Sequence, residues 1–338
     1  MWSPVELKRR WFPKGVRREL TKLGNRAFRR TSRRSLARSL EPLDIAPGSV
    51  ICVHSMLSGL GFLADGPDGV LGAIQDAVPG CTIMVPTFAI DDTCERYLRT
   101  DPVYDPARTP STSGLLTEVL WRTSGAVRGL HPTHPCAALG PLANDLIDGT
   151  ESSVTPFGDD STYGRFAARD DAILLLLHTN NTSLVHRFQE VAGTPNLFLD
   201  GLARARSLMP GGAAREFSIA VHRPKLPLYV IERGDAEAER DHVWLPDYSL
   251  PAPEYNRERI ERRLSDRTYR FLMDRQRRLL ADGTIRTARH RDAELFAIRA
   301  RDYTAAIVAD LGASYLTFAD EYELARLEQA ERDGAIGK

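Results

Sequence analysis

The 338-residue chain is long enough to bury a sizeable core, and its 42% hydrophobic and 27% charged residues are ordinary for a soluble globular protein. No segment approaches the run of about 18 apolar residues that a membrane helix needs, and the four cysteines show no Cys-x-x-Cys spacing. These features argue against a transmembrane protein, a disulfide-rich domain and a zinc module, and they favour a cytoplasmic protein with reduced thiols.

The charge is unevenly distributed, although the whole chain is neutral. Residues 1–39 hold 13 Lys and Arg against two Glu, whereas the remaining residues hold 32 basic and 43 acidic side chains. An acidic body favours cationic ligands by long-range attraction. We interpret residues 1–39 as a basic helical extension against this body and expect no nucleic acid partner and no membrane span. Binding of the extension to DNA or anionic lipid is the alternative.

Short apolar strands alternate with helices in the first part of the chain. Residues 15–45 have helical spacing, and 49–54 (SVICVH) predict a buried strand that leads into a Ser- and Gly-rich turn. Residues 68–78 predict a helix, and 81–88 (CTIMVPTF) predict a second buried strand. The irregular stretch 89–112 carries four aspartates, and loops of this length usually bind ligands.

Two histidine-bearing segments follow a predicted helix at 115–123. In the segment 128–140 (RGLHPTHPCAALG), the prolines keep His131 and His134 out of helical geometry. Residues 172–177 (AILLLL) predict the clearest strand, and the next helix places His186 and Glu190 one turn apart on one face.

The pattern is looser beyond residue 200. We predict strands at 217–221 and 227–232, a charged helix within 253–282, and a strand followed by a helix over 294–310. Strands that alternate with helices predict an α/β fold, in which helices flank a mixed or largely parallel central sheet.

Six ordered motifs resemble one family, the aminoglycoside 3-N-acetyltransferases, whose fold is distinct from that of the GNAT acetyltransferases. The motifs are VHSMLSGLG (53–61), GCTIMVPTF (80–88), YDPARTPS (104–111) with Gly114 and Glu118, AVRGLHP (126–132) with 137–140, DSTYGRF (160–166), and 173–177 with Asn181–Leu184 and His186. The resemblance covers roughly residues 40–320. It implies an acyltransferase domain over 40–325, between the basic extension and a tail at 326–338.

The resemblance implies acyl transfer from acetyl-CoA to a primary amine of an aminoglycoside or related amino sugar. Such a reaction needs a base for the attacking amine, donors for the developing oxyanion, and a carboxylate that orients the base. From the residues alone, either His186 with Glu190 or His131 with Glu118 could supply the base and its partner. The resemblance indicates His186 as the base and His131 as a second active-site histidine.

The resemblance also suggests residues for the two substrates. The candidates for CoA contacts are Ser55, Ser58, Gly61, Thr87 and Ser161. The candidates for acceptor contacts are Asp91, Asp92, Asp160 and Gln189. The family helix usually reads His-x-x-Glu, whereas here Gln189 stands three residues after His186 and the carboxylate is displaced to Glu190.

The sequence also offers alternative roles for its histidines and alternative functions for the whole chain. His131-x-x-His134 is reminiscent of metal-ligand spacing, but no third ligand stands at helical spacing, so we expect no metal. His54, His178, His222, His242 and His290 are interpreted as packed or surface histidines. The alternatives are a relative that acylates another amine in natural-product or glycan biosynthesis, and a catalytically degenerate scaffold. The oligomeric state is left open, with a homodimer as one option.

Overall fold

The computed structural model describes most of the chain. The described residues are 29–90, 92–193, 197–223, 228–232, 241–243, 251, 253, 254, 257, 266–313 and 316–319. The first 28 residues of the predicted basic extension and the predicted tail 326–338 lie outside them.

Strands and helices alternate along this part of the chain, as predicted. The strands are β1 (Arg30–Thr31), β2 (Val50–Ser55), β3 (Phe62–Leu63), β4 (Thr82–Pro86), β5 (Val103–Tyr104), β6 (Val127–Arg128), β7 (Cys136–Leu139), β8 (Ala172–Leu177), β9 (Ala203–Leu208), β10 (Ala214–Ile219), β11 (Leu228–Glu232), β12 (Asp241–Val243), β13 (Ile285–His290), β14 (Ala293–Arg299) and β15 (Leu316–Ala319). The helices are α1 (Arg33–Leu40), α2 (Gly66–Ala77), α3 (Cys94–Arg99), α4 (Leu115–Arg122), α5 (Ala143–Ile147), α6 (Thr162–Ala167), α7 (Leu184–Val191), α8 (Asp266–Ala281) and α9 (Ala300–Ala313).

A seven-stranded sheet in the order β13-β14-β8-β2-β4-β7-β6 forms the centre of the molecule. Strands β8, β2 and β4 are parallel, whereas β14 and β13 on one side and β7 and β6 on the other pair antiparallel. The predicted mixed sheet is therefore confirmed, with its parallel part at the centre. The carboxyl ends of the three parallel strands meet at one edge, where ligands bind in open α/β sheets.

Helices cover both faces of the sheet because alternate residues of each buried strand point to opposite sides. Val50 and Cys52 of β2 pack with α5, α6, α7 and α9, whereas Ile51 and Val53 pack with α1, α2 and α4. None of the described helices combines the length and the hydrophobicity needed to cross a membrane.

The end of the predicted basic extension belongs to the core. Ser32 and Ser35 form a capping box at the start of α1, and Leu36, Ala37 and Leu40 are buried against the sheet. The domain boundary predicted at residue 39 thus falls inside this helix.

The long stretch 89–112 is less irregular than predicted. It contains α3 and β5, and Tyr104 at the end of β5 is fully buried and donates a hydrogen bond to the Gly129 carbonyl at 3.2 Å. β5 also pairs with β9 in a second, three-stranded sheet of the order β10-β9-β5. The chain leaves β10 towards His222, which forms an isolated antiparallel bridge with Phe198.

Candidate active site

Helix α7 holds the central histidine of the site. Its apolar residues Leu184, Val185 and Phe188 are buried against the sheet, and Gly193, with φ of +63°, follows its end. His186 lies on the same helix, and its Nδ1 is 2.8 Å from the Oε1 of Gln189. A neutral imidazole that donates through Nδ1 to this oxygen keeps Nε2 as an acceptor.

The next residue of the helix, Glu190, holds a second histidine. Its Oε1 lies 2.8 Å from the Nε2 of His222 and accepts a hydrogen bond from the Phe157 N–H at 3.2 Å. The side chains of His222 and Glu190 are only 12% and 7% exposed. The predicted pairing of His186 with Glu190 is therefore wrong, because the carboxylate turns to His222 while the amide of Gln189 takes the position beside His186.

The buried Phe157 ring brings the histidines of three segments together. Its centroid is 5.1 Å from that of His186, 5.6 Å from that of His222 and 5.4 Å from that of His134. His186 and His222 are 5.2 Å apart between centroids, and His134 and His131 are 6.1 Å apart. We call His131, His134, His186 and His222 the histidine cluster.

The His131 loop is fixed by its own backbone. The N–H groups of Thr133 and His134 approach the Nδ1 of His131 at 3.3 and 3.1 Å, so this nitrogen is an acceptor and the ring proton resides on Nε2. The Nδ1 of His134 lies 2.9 Å from the Thr133 hydroxyl. This arrangement leaves His131 no contact with Glu118, which was the alternative base pair from the sequence.

Burial keeps His131, His134 and His186 neutral near pH 7. It lowers the pKa of His131 and of His186 to about 4, and that of His134 well below its usual value. Neighbouring imidazoles contribute in the same direction, since His222 lowers the pKa of His186 and of His134. A neutral imidazole is the form that can accept a proton.

A cavity of about 290 Å³ lies at the carboxyl ends of β2, β4 and β8, on the α4 side of the sheet. Its lining residues are Val53, His54, Ser55, Leu57, Pro86, Ser113, Gly114, Leu115, Leu116, Thr117, Thr179 and Asn181. The first turn of α4 faces it without a side-chain cap, and a Cβ placed on Gly114 would meet no atom within 4 Å. The cavity therefore offers hydroxyls, an amide and the positive end of a helix dipole, and none of its lining residues is acidic.

A family model described as aminoglycoside 3-N-acetyltransferase matches residues 52–311, which include both the cavity and the histidine cluster. The chain belongs to the aminoglycoside 3-N-acetyltransferase family. The resemblance inferred from the six motifs is thereby confirmed.

Curated relatives match about half of this chain. The aminoglycoside N(3)-acetyltransferase VII of Streptomyces paromomycinus is 33% identical over 179 residues, which are 48% of this chain and 62% of the relative. The aminoglycoside N(3)-acetyltransferase IV of a Salmonella sp is 32% identical over 158 residues, which are 45% of this chain and 56% of the relative. The matched part thus spans less than two thirds of the relatives' own length.

Solved structures extend the similarity of the fold over most of the chain. The aminoglycoside acetyltransferase AAC(3)-Xa superposes with a TM-score of 0.63 at 23% identity and covers 88% of this chain and 98% of its own. AAC-IIIb, solved as a binary complex with CoASH, superposes with a TM-score of 0.58 at 22% identity, covering 83% and 96%.

Among the residues that the resemblance suggested for CoA, Ser55 lines the cavity, whereas Gly61, Thr87 and Ser161 have structural roles. Ser58 is exposed on the short 3-10 helix that follows β2. Gly61 has φ of +90°, and a Cβ there would lie 2.3 Å from the Arg29 carbonyl, so close backbone packing requires this glycine.

Thr87 and Ser161 are also engaged within the protein. The Thr87 hydroxyl is fully buried and lies 3.2 Å from the Pro135 carbonyl. Ser161 is the N-cap of α6 and accepts a hydrogen bond from the Gly164 N–H. Their predicted contacts to CoA find no support in this arrangement.

The acidic candidates from the sequence are spread over the surface. Asp92 is exposed and pairs with Arg96, Asp160 accepts a hydrogen bond from the Ser153 hydroxyl at 2.6 Å, and Asp91 lies outside the described residues. Gln189 was predicted to contact the acceptor, but its side chain bonds to the candidate base His186.

Glu118 is satisfied by its own surroundings. It accepts hydrogen bonds from the Ser111 N–H, the Trp121 indole and the Arg122 guanidinium at 2.7 to 2.8 Å. Partial burial acts to raise the pKa of this carboxyl, but these three bonds lower it below its usual value. Glu118 therefore orders the loop before α4, and the predicted pairing of His131 with Glu118 is not formed.

Two members of the site were missed by the sequence reasoning. In the sequence His222 has the pattern of an ordinary histidine, and no motif marks Phe157. The described residues contain no group of three or more His, Cys, Asp or Glu placed to hold a metal ion. The cluster is thus a set of imidazoles around one aromatic ring.

Proposed function

We propose that this protein is an N-acetyltransferase that transfers the acetyl group of acetyl-CoA to a primary amine of an aminoglycoside or a related amino sugar. The observation that carries the proposal is the buried, neutral His186, oriented by Gln189 through Nδ1 and free to accept a proton at Nε2. The relatives named aminoglycoside N(3)-acetyltransferases support the same chemistry.

The role of His186 follows from its surroundings. A base that acts on an attacking amine must be neutral at the working pH, and burial ensures this by lowering the pKa of His186 to about 4. Once protonated, the same imidazole is a strong acid. It can therefore hand its proton to the sulfur of the departing thiolate and return to its starting form.

The cavity fits the thioester end of acetyl-CoA. A carbonyl oxygen that gains negative charge is stabilised by backbone N–H groups at a helix N-terminus, and the uncapped first turn of α4 offers such groups. The open space at Gly114 admits a ligand close to the backbone. The hydroxyls of Ser55 and Thr117 and the amide of Asn181 match the amide groups of a pantetheine chain.

The acidic body suits a polycationic acceptor. Residues 40–338 carry 43 acidic and 32 basic side chains, and this excess attracts cations over a distance. The exposed Asp159 and Asp160 lie two and three residues from Phe157, near the histidine cluster. We keep Asp160 and Asp92 as predicted acceptor contacts.

Thiol release tests the proposed function. The full-length protein is incubated with acetyl-CoA and a panel of an aminoglycoside, glucosamine, a simple diamine and an alcohol, and free thiol is measured together with the mass of the product. We expect turnover with amines, a mass gain of one acetyl group on the aminoglycoside, and no product from the alcohol. The absence of acetyl transfer to every amine, from protein that binds CoA by calorimetry, would overturn the proposal. Acetylation of the diamine alone would change the acceptor class.

A further inference from the structure

An amino sugar loses two protons when its amine is acetylated at neutral pH. The acceptor enters as an ammonium with three N–H bonds, and the amide product keeps one. One of the two protons ends on the sulfur of CoA as the C–S bond breaks, and the other is released to solvent. A single histidine that shuttles a proton from nitrogen to sulfur therefore accounts for only half of the proton transfers.

The structure places two oriented imidazoles side by side. His186 and His222 are 5.2 Å apart between ring centroids, and consecutive residues of α7 fix one nitrogen of each ring. Within the described part of the chain, no hydrogen bond reaches the Nε2 of His186 or the Nδ1 of His222. Each ring thus keeps one nitrogen for a substrate.

The partners of the two rings differ in charge. The carboxylate of Glu190 can stabilise a positive charge on His222, as the aspartate of a Ser-His-Asp triad does for its imidazole. The amide of Gln189 orients His186 but carries no net charge to stabilise an imidazolium. The geometry therefore gives His222 a carboxylate partner and His186 an uncharged one.

Among the described residues, the other titratable and charged groups near this pair include His134, Arg187 and Arg223. His134 faces both rings from the neighbouring loop. Arg187 of α7 is engaged with Asp159 and donates to the Phe157 carbonyl. Next to His222, Arg223 is paired with the exposed Asp200 at 3.2 Å. The two arginines are thus paired with aspartates, and Glu190 is the carboxylate that contacts His222.

We propose that His222, held by Glu190, removes the first proton from the acceptor ammonium, and that His186 carries the second proton from the attacking nitrogen to the leaving thiolate. This inference rests on the proposed function. The neutral amine attacks the thioester carbon, the C–N bond forms, and the C–S bond breaks. The first proton leaves His222 for solvent, to which its side chain is 12% exposed.

The substitution His222→Gln isolates the first step. The Nε2 of glutamine can still donate to Glu190, but glutamine cannot take up a proton. The variant then depends on acceptor molecules that are already neutral in solution. At pH 7 we expect kcat/KM to fall by about 10²- to 10⁴-fold, and the loss to shrink to a few-fold as the pH approaches the ammonium pKa of the acceptor.

Two further variants separate the two histidines. His186→Ala should keep its full loss at every pH, because deprotonated acceptors do not replace the shuttle to sulfur. His134→Gln is the matched control, since it removes another imidazole that packs on Phe157. Its loss should not depend on pH.

Three results would contradict this inference, and only one of them would also contradict the proposed function. A wild-type protein that acetylates amines, together with a His222→Gln variant of similar kcat/KM at pH 7, would overturn this inference and leave the proposed function intact. So would a loss in His222→Gln that is the same at all pH values, because a merely structural role predicts that result. A wild-type protein without acetyl transfer to any amine would refute both.

Discussion

Two buried histidine sites lie on opposite faces of the central sheet and have different tasks. His290, at the end of β13, is 4% exposed, and its two ring nitrogens lie 2.9 Å from the hydroxyls of Thr31 and Ser39. In the histidine cluster, His186 and His222 each have one nitrogen fixed and one without a partner among the described residues. A histidine with both nitrogens satisfied joins segments of the chain, whereas one with a free nitrogen can exchange a proton with a ligand.

Burial itself does not distinguish the two sites. It lowers the pKa of His290 and of His186 alike, so both rings are neutral near pH 7. The difference lies in the hydrogen bonds. The Thr31 hydroxyl donates to the Leu60 carbonyl at 2.6 Å, so it accepts from the Nε2–H of His290 and fixes that tautomer.

The largest effect is expected from His186→Ala. Loss of the base should lower kcat by about 10²- to 10⁴-fold while the affinity for CoA, measured by calorimetry, stays nearly unchanged. The control is His131→Ala. If that variant abolished turnover while His186→Ala kept most of it, the base would lie on the His131 loop of the cluster and not on α7.

Acid should destabilise the protein through its neutral histidines. The pKa values of His54, His131 and His186 are about 4 in the folded protein, below the usual 6.5, so the unfolded chain binds more protons as the pH falls. Stability is therefore retained above about pH 6.5 and lost progressively down to about pH 4. Each such histidine contributes roughly 1.4 kcal/mol per pH unit in that window.

Urea unfolding across this range checks the prediction. The His131→Gln variant should show a shallower dependence of the unfolding free energy on pH, because one titrating group is removed. A wild-type unfolding free energy that stays constant from pH 7 to pH 4 would contradict the assignment of neutral buried rings.

A purely structural loss is expected from His290→Ala. The substitution leaves the hydroxyls of Thr31 and Ser39 without the ring and should lower the unfolding free energy by about 1 to 3 kcal/mol. The folded variant should keep the kcat of the wild type within about twofold, since the ring lies on the face opposite the cluster. A kcat that drops by more than tenfold in folded His290→Ala would show that the two sites are coupled.

The smallest change is expected from Gln189→Glu. A carboxylate beside His186 stabilises its imidazolium and raises its pKa, so the base becomes protonated at a higher pH. The ratio of variant to wild-type kcat/KM should be near one at pH 8 and fall by up to about tenfold per pH unit below the new pKa. A ratio that does not change with pH would show that Gln189 does not contact the base during catalysis.

The strands and the central histidine could be predicted from local pattern. Buried strands such as 49–54 and 172–177 are short apolar runs, and the structure has β2 and β8 there. His186 stands on an amphipathic helix within a family motif. By contrast, His222 is brought to the site by β10 and its bridge to Phe198, and no local pattern marks such a contact.

The partners of the histidines could not be predicted from spacing. Residues three and four positions after a histidine both lie near it on a helix, so spacing allowed either Gln189 or Glu190 to bond to His186. Packing decides between them, because the Phe157 N–H and His222 draw Glu190 to the other side.

The imidazoles that pack around the Phe157 ring influence one another's charge. After burial, the largest influences on the pKa of His134 are the charges that His131, His222 and His186 can carry, and His222 acts on His186 in the same way. A proton on a neighbouring ring therefore disfavours a proton on His134, and one on His222 disfavours a proton on His186. In a catalytic cycle the cluster stores one proton at a time. The proton on His222 therefore has to reach solvent before His186 takes up the second one from the attacking nitrogen.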